Sequence, residues 1–326
     1  VYIPQNLLDG DTAPVVVFLH GFMAIVPPIY KGQIEHLVRQ GYIVIFPSYN
    51  LGGFTGMFND TNQYEMLERA VSSVDTALAL PDVAARADLD EIYLASHSNG
   101  GMMSLGWVAG GGVDVQGMIM QHPSVSNEAI PAFVRTLFLG DMVELDYQAM
   151  AQEIDVPVVI ISGDDDTIAK REHVASVYSS LTNVPTKVYY QYSNDGHGDP
   201  ELESDHMVPA QDDGILPGFI LDLMRGMGFS AFEENSDDFR IHYAAVDAVL
   251  DGQTRVPFDR GQWSDGVPVS AVRTLMDSEA VEVTVYQHGS YEGYATQLPP
   301  GSYNLGLLEI MGIANDDLSS VTVPPG

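Results

Sequence analysis

Apolar residues in the first two hundred positions fall into short unbroken runs: residues 15–20, 42–47, 91–95, 115–120, 156–162 and 186–192. A strand covered on both faces cannot alternate apolar with polar, so continuous runs of this length predict strands of a buried, mostly parallel sheet. Between them the period changes to that of a helix. Residues 29–40 carry it, with Gly41 placed to end the helix. Over residues 64–80, Met66, Leu67, Ala70, Val71, Val74, Ala77 and Leu78 fall on one stripe. Helical stretches are also expected at 99–109 and 170–181. Strand–helix alternation means βαβ units, whose ligands sit at the carboxyl ends of the strands.

The pattern changes after about residue 200. Residues 199–213 are acidic and loop-like, 219–227 and 241–250 read as helices, and Gly261-Gln262-Trp263-Ser264-Asp265-Gly266 is a turn-rich break. Strand and turn signals dominate from Ala280. The expected organisation is a large α/β domain over 1–265, with inserted caps around 127–149 and 200–238, then a small β segment over 280–326, the boundary falling near 262–279.

Charge narrows the partners. The 45 acidic against 13 basic residues leave a formal net charge of -32, and the lysines are Lys31, Lys170 and Lys187 alone. Such a field repels nucleic acid and anionic membranes and keeps a protein hydrated at high salt, which suits a saline medium. A hydrophobic content of 45% argues against disorder. Zero cysteines exclude disulfides, thiol catalysis and thiolate metal sites. Gly21, Pro27 and Pro28 break the best candidate for an 18-residue apolar span, so no membrane-crossing segment is expected. The start at Val1 fits a trimmed, secreted form. Oligomeric state is left open.

The candidate chemistry begins at Ser96-His97-Ser98-Asn99-Gly100, directly after the 91–95 run. Small residues around a serine at a strand-to-helix corner form a nucleophile elbow, with Ser98 at its tip. A serine hydroxyl needs an imidazole to take its proton and a carboxylate to orient that imidazole. The order Ser, acid, His is present. An acid candidate lies in Gly163-Asp164-Asp165-Asp166-Thr167, just past a strand, and a base candidate is His197, four residues beyond another. His206-Met207-Val208-Pro209 repeats the His-x-x-Pro spacing of His197 and keeps His206 as the alternative base. The backbone N–H of Asn99, following the nucleophile, is one oxyanion donor.

These motifs resemble the α/β-hydrolase superfamily, and more narrowly its cutinase-like polyester hydrolases. Gly163-Asp164-Asp165-Asp166-Thr167-Ile168-Ala169 is similar to their acid segment, and Val188-Tyr189 through His197-Gly198-Asp199-Pro200 fits their histidine segment. The resemblance implies Asp166 as the acid, His197 as the base and Phe22, in a His20-Gly21-Phe22 turn like the family's, as the second oxyanion donor. His122 and Met23 are expected to line the acyl pocket, with Tyr30 as a further candidate. The implied activity is carboxylic ester hydrolysis through an acyl-enzyme, on small or polymeric esters, with no catalytic cofactor. The chain departs from that pattern in Asn99, where those enzymes have Met, and in the 68 positions between Ser98 and Asp166. A catalytically silent scaffold carrying an interaction module is the alternative.

Near the carboxyl end, Tyr286-Gln287-His288-Gly289-Ser290-Tyr291-Glu292-Gly293 resembles the Greek-key signature of βγ-crystallin domains. Asn315-Asp316-Asp317-Leu318-Ser319-Ser320 is similar to that family's calcium sequence. The resemblance implies structural calcium on Asn315, Asp316 and Ser319, hard oxygen ligands of the kind calcium takes. A full site in that family draws on two motifs and one is visible here, so an incomplete site is expected.

Overall fold

The protein is described from a computed structural model, in which residues 1–51 except 9 and 23, 60–126, 143–211 and 233–279 are described, together with 214, 218, 222, 283–288, 290, 292–298, 308, 313 and 318–322. Seven strands form the main sheet in the order β2-β1-β3-β4-β5-β6-β7. They are β1 (Ala13–Leu19), β2 (Ile43–Ile45), β3 (Ala87–His97), β4 (Gly117–Gln121), β5 (Val158–Gly163), β6 (Lys187–Tyr192) and β7 (Arg273–Asp277). The first six run parallel and β7 is antiparallel to β6. This is the mostly parallel sheet that the alternation of elements predicts, and the α/β-hydrolase architecture that the resemblance of the motifs implies.

The apolar runs are continuous because consecutive side chains enter opposite cores. Val15, Val17 and Leu19 of β1 pack on one face with Leu94, Met118 and Ile160. Val16 and Phe18 pack on the other with Ala95, Ile119 and Val159. Helix α2 (Gln63–Leu78) covers the first face with Met66, Leu67, Ala70 and Val74. Asn62 caps it, its side chain accepting from the N–H groups of Tyr64 and Glu65 at 3.1 and 3.4 Å. Helix α1 (Lys31–Gln40) covers the second face with Ile34 and Leu37, and ends at Gly41 in the left-handed region, φ 103°. No described helix is long and apolar enough to cross a membrane.

Two boundaries differ from those read in the sequence. Strand β7 carries the main sheet past residue 265 to Asp277. Its five residues bury only the last three, too short a pattern to stand out from a linker. Residues 200–211 do not stand away as a cap: they fold onto the end of the sheet, with Met207, Val208 and Ala210 in its second core. The regions 127–142 and 223–232 of the expected caps and helix lie outside the described residues. A separate three-stranded antiparallel sheet, in the order β10 (Ser320–Thr322), β8 (Val283–His288), β9 (Glu292–Leu298), forms the carboxyl-terminal segment.

Candidate active site

Register aligns the strand ends. Leu19 pairs with Ser96, His97 with Gln121, Gln121 with Ile161 and Gly163 with Tyr192, so the segments that follow β1, β3, β4, β5 and β6 leave the sheet along one edge. Ser98 sits there with φ 55° and ψ −121°, between β3 and helix α3 (Asn99–Leu105). The turn is possible because glycines follow. A Cβ on Gly100 would lie 2.1 Å from the Leu19 carbonyl oxygen, and one on Gly101 would lie 2.6 Å from Cβ of Pro123. The Ser98 N–H donates to Gln121 O at 3.1 Å and its C=O accepts from Ser124 N–H at 3.0 Å, which holds the strained residue in place.

The hydroxyl of Ser98 donates to Nε2 of His206 at 2.7 Å, and Nδ1 of His206 donates to Oδ2 of Asp166 at 2.8 Å. All three groups are buried. Oδ1 of Asp166 accepts from Ile168 N–H at 2.8 Å and Ala169 N–H at 2.7 Å. Burial pushes the Asp166 carboxyl upward, but the His206 imidazole and the N–H donors of His122 and His206 outweigh it. Its pKa is held well below the ordinary carboxylate range. The carboxylate therefore stays ionised beside the imidazole.

His206, the alternative, is the histidine that stands against Ser98, and His197 is not. His197 is 42% exposed in its side chain and pairs with Asp265 at 2.8 Å, remote from Ser98 in its contacts. The cause lies in the loop after β6. Asp195 and Leu202 exchange backbone hydrogen bonds of 2.8 and 3.0 Å, so residues 196–201 form an outward excursion and the chain returns to the sheet only afterwards. Asp164 and Asn194 then hold the Ser204 hydroxyl at 3.1 and 2.8 Å, and a Cβ on Gly163 would fall 1.7 Å from the Ser204 carbonyl oxygen. The bare backbone at residue 163 is what lets the loop settle with His206 over Ser98.

A second tether joins the base loop to the first turn. Nε2 of His97 donates to the backbone oxygen of His206 at 2.8 Å, while its Nδ1 accepts from the Tyr30 hydroxyl at 2.8 Å. The Tyr30 oxygen in turn accepts from Gly21 N–H at 2.9 Å. Tyr30 is thus fully buried and structural rather than a lining residue. Burial first, then His206 and His122 nearby, push the His97 pKa well below its ordinary value, so it is neutral and can accept at one nitrogen. A Cβ on Gly21 would lie 3.0 Å from Cβ of Ser98, so the backbone leading into Phe22 runs against the nucleophile. Asn99, the first residue of α3, stands on the other side of Ser98 in sequence with its N–H in the opening turn of the helix.

His122 is not a pocket residue. It has no exposed surface, and its Nδ1 donates to Oδ2 of Asp166 at 2.7 Å. Its Nε2 lies 3.0 Å from the Tyr192 hydroxyl, which is also 3.0 Å from Nε2 of His242. Sequence order gives no sign of this, because the contact depends on β4, β5 and β6 lying side by side. His122, Asp166 and His206 offer atoms within 4.8 Å of one another. Tetrahedral zinc with bonds of 2.0–2.1 Å needs ligand atoms about 3.3 Å apart. The 2.7 and 2.8 Å contacts suit shared protons better.

The remaining sequence candidates lie elsewhere. Met23, Asn315 and Asp316 are outside the described residues; Ser319 is exposed and its N–H donates to Tyr286 O at 3.0 Å. Asp164 and Asp165 act in turns, accepting from Ser193 at 2.6 Å and Asn194 at 3.1 Å. A cavity of about 440 Å³ beside α1, lined by Lys31, Glu35, His36, Arg39 and Glu234 among others, includes no triad residue.

A family model described as chlorophyllase matches residues 4–117, about a third of the chain. Development-specific protein S of Myxococcus xanthus is 43% identical over 44 residues, which are 14% of this chain and 25% of that protein. The chain thus spans about a quarter of the curated relative it matches. Among solved structures, one from work on the metagenome-derived lipolytic enzymes LipS and LipT is 16% identical with a TM-score of 0.45, covering 68% of this chain and 94% of its own. Est1E from Butyrivibrio proteoclasticus with bound ferulic acid is 17% identical with a TM-score of 0.45, covering 69% and 90%.

Proposed function

We propose that this protein is a serine hydrolase of carboxylic esters acting through an acyl-enzyme. The observation that carries the reading is the continuous contact from Ser98 Oγ to His206 Nε2 at 2.7 Å and from His206 Nδ1 to Asp166 Oδ2 at 2.8 Å, at the carboxyl ends of parallel strands. The chlorophyllase-family match spans both the His20-Gly21-Phe22 turn and Ser98, and agrees with it.

In this mechanism Ser98 Oγ bonds to the ester carbonyl carbon as its proton passes to His206 Nε2. The developing oxyanion takes the N–H groups of Phe22 and Asn99, and Asp166 stabilises the imidazolium without accepting its proton. Collapse breaks the carbon–oxygen bond to the alcohol, which leaves with the proton from His206. Water then attacks the acyl-enzyme by the same steps and frees the acid and Ser98. His206, not His197, is the base. Polyesters belong to the substrate class through the likeness of the acid segment to cutinase-like enzymes. The net charge of -32 suits secretion into a saline medium. The Asn315, Asp316 and Ser319 motif would add structural calcium, checked by the rise in melting temperature on adding calcium to chelated protein.

Hydrolysis of p-nitrophenyl esters and labelling by a fluorophosphonate test the reading. Wild type is expected to do both and Ser98→Ala neither. Hydrolysis that persists in Ser98→Ala would overturn it.

A further inference from the structure

We propose that His122 is a positioning residue for the triad acid, the near end of a one-way hydrogen-bonded chain that runs from His242 through Tyr192 to Asp166. The inference rests on the serine-hydrolase reading above. It concerns groups that the acyl-transfer steps do not use.

The direction of the chain follows from donor and acceptor counts. An ionised Asp166 only accepts, so His122 Nδ1 carries the hydrogen on the 2.7 Å contact. Its Nε2 is then an acceptor, and the Tyr192 hydroxyl donates to it at 3.0 Å. Having used its one hydrogen, the Tyr192 oxygen accepts from His242 Nε2 at 3.0 Å. His242 Nδ1 is left as a bare nitrogen, and it has no hydrogen-bond partner. The reverse direction would strand a buried N–H at that position, the costlier orphan. Every hydrogen in the chain therefore points toward the carboxylate.

The arrangement is expensive, which argues for use. His122, Tyr192 and His242 are all fully buried, where apolar side chains would pack without desolvation cost. His122 also adopts φ 48°, one of three described non-glycine residues with positive φ; another is Ser98. Its N–H donates to Ile161 O at 2.7 Å, fixing the strained turn. That turn sends the imidazole behind Asp166 instead of outward. With two imidazole N–H groups on Oδ2 and two backbone N–H groups on Oδ1, the carboxylate cannot rotate, and His206 stays aimed at Ser98. The other charged or titratable groups facing this cluster are His97 at the end of β3, Asp205 on the base loop, and Asp237, Asp238 and Arg260 around the turn before His242.

The test is kcat and KM for p-nitrophenyl acetate, with active sites counted by fluorophosphonate labelling of Ser98. In His122→Leu, kcat is expected to fall about 10- to 100-fold, the loss of one hydrogen bond to a charged group, with KM within about twofold. His122→Asn keeps a donor near the Nδ1 position and should stay within about fivefold of wild type. His122→Gln fills more volume but misplaces the donor, and should match Leu. A packing role would rank Gln and Leu above Asn. Tyr192→Phe should lose about threefold, and His122→Leu/Tyr192→Phe should be no worse than His122→Leu, because Tyr192 acts through His122. The proposal is overturned if His122→Leu loses less than about fivefold, if Asn ranks with or below Gln, or if the Leu and Phe losses multiply. Should His122→Leu not fold, the Asn and Gln ranking decides alone. Flat variants on a labelled, active wild type overturn this inference only; an unlabelled, inactive wild type overturns the serine-hydrolase reading and this with it.

Discussion

The loop after β6 carries two histidine–aspartate pairs of equal length: His197 Nε2 to Asp265 and His206 Nδ1 to Asp166, both at 2.8 Å. The partners differ in surroundings. His197 and Asp265 expose 42% and 56% of their side chains, while His206 and Asp166 expose 5% and 0%. Water and salt screen the first pair and weaken its hold. The second has water excluded, its carboxylate saturated with donors and its outer nitrogen on a serine. Residue identity and distance are thus shared, and burial with the next partner along sets the two pairs apart.

The widest separation between the pairs should appear in turnover. His206→Ala is expected to lower kcat by about 10⁴- to 10⁶-fold, as loss of a triad base does. His197→Ala should stay within about twofold in the same p-nitrophenyl ester assay. A large loss in His197→Ala would erase the distinction.

Acid should separate buried from exposed imidazoles next. Burial lowers the His20 pKa to about 4 and holds His97 and His242 well below the ordinary value, so all three fold uncharged. Unfolding lets each take a proton below about pH 6.5, so stability should fall as pH drops through that value. Each group adds up to about 1.4 kcal/mol per pH unit until its folded pKa is reached, and denaturant melts from pH 7 to 4.5 should show several kcal/mol lost.

A smaller effect concerns the clamp at the root of the loop. Arg260 holds Asp237 through two contacts of 3.0 and 2.6 Å and also donates to Ser193 O at 2.9 Å, with both side chains buried. Arg260→Met leaves Asp237 buried and unpaired, and chemical denaturation should register about 3–5 kcal/mol of destabilisation. Smallest is Asp238, whose pKa burial raises to about 7 and whose Oδ1 has no partner. Its folded pKa lies above the unfolded one, so its contribution is full below about pH 4 and is lost as pH rises through 7. Asp238→Asn should therefore be more stable than wild type at pH 8 by roughly 1–3 kcal/mol, and show no gain at pH 4.

Much of this was legible in the chain. Unbroken apolar runs predict β1 to β6 because two-sided burial writes itself into consecutive residues, and the elbow at Ser98 with an acid after β5 follows from local turn chemistry. Gly41 marks the end of α1 for the same local reason. The base is different. Distance from a strand end favours His197, whereas the hydrogen-bonded return at Asp195 and Leu202 makes residue 206 the nearer one in space. His122 fails for a related reason: its partner Asp166 is 44 positions away in sequence, just past the end of the neighbouring β5. Strand β7 was hidden by its brevity and by the exposure of Arg273 and Thr274.

The closed excursion between Asp195 and Leu202 has a meaning for how the protein could be remodelled. The two backbone contacts close residues 196–201 into a loop of their own, which packs on the 263–265 turn through Gly198 against Trp263 and His197 on Asp265, while the chain re-enters at Ser204. Replacing that loop by a tight turn between Asp195 and Leu202 is expected to leave the 2.7 Å contact between His206 Nε2 and Ser98 Oγ in place, so the excursion is the part of this edge open to redesign.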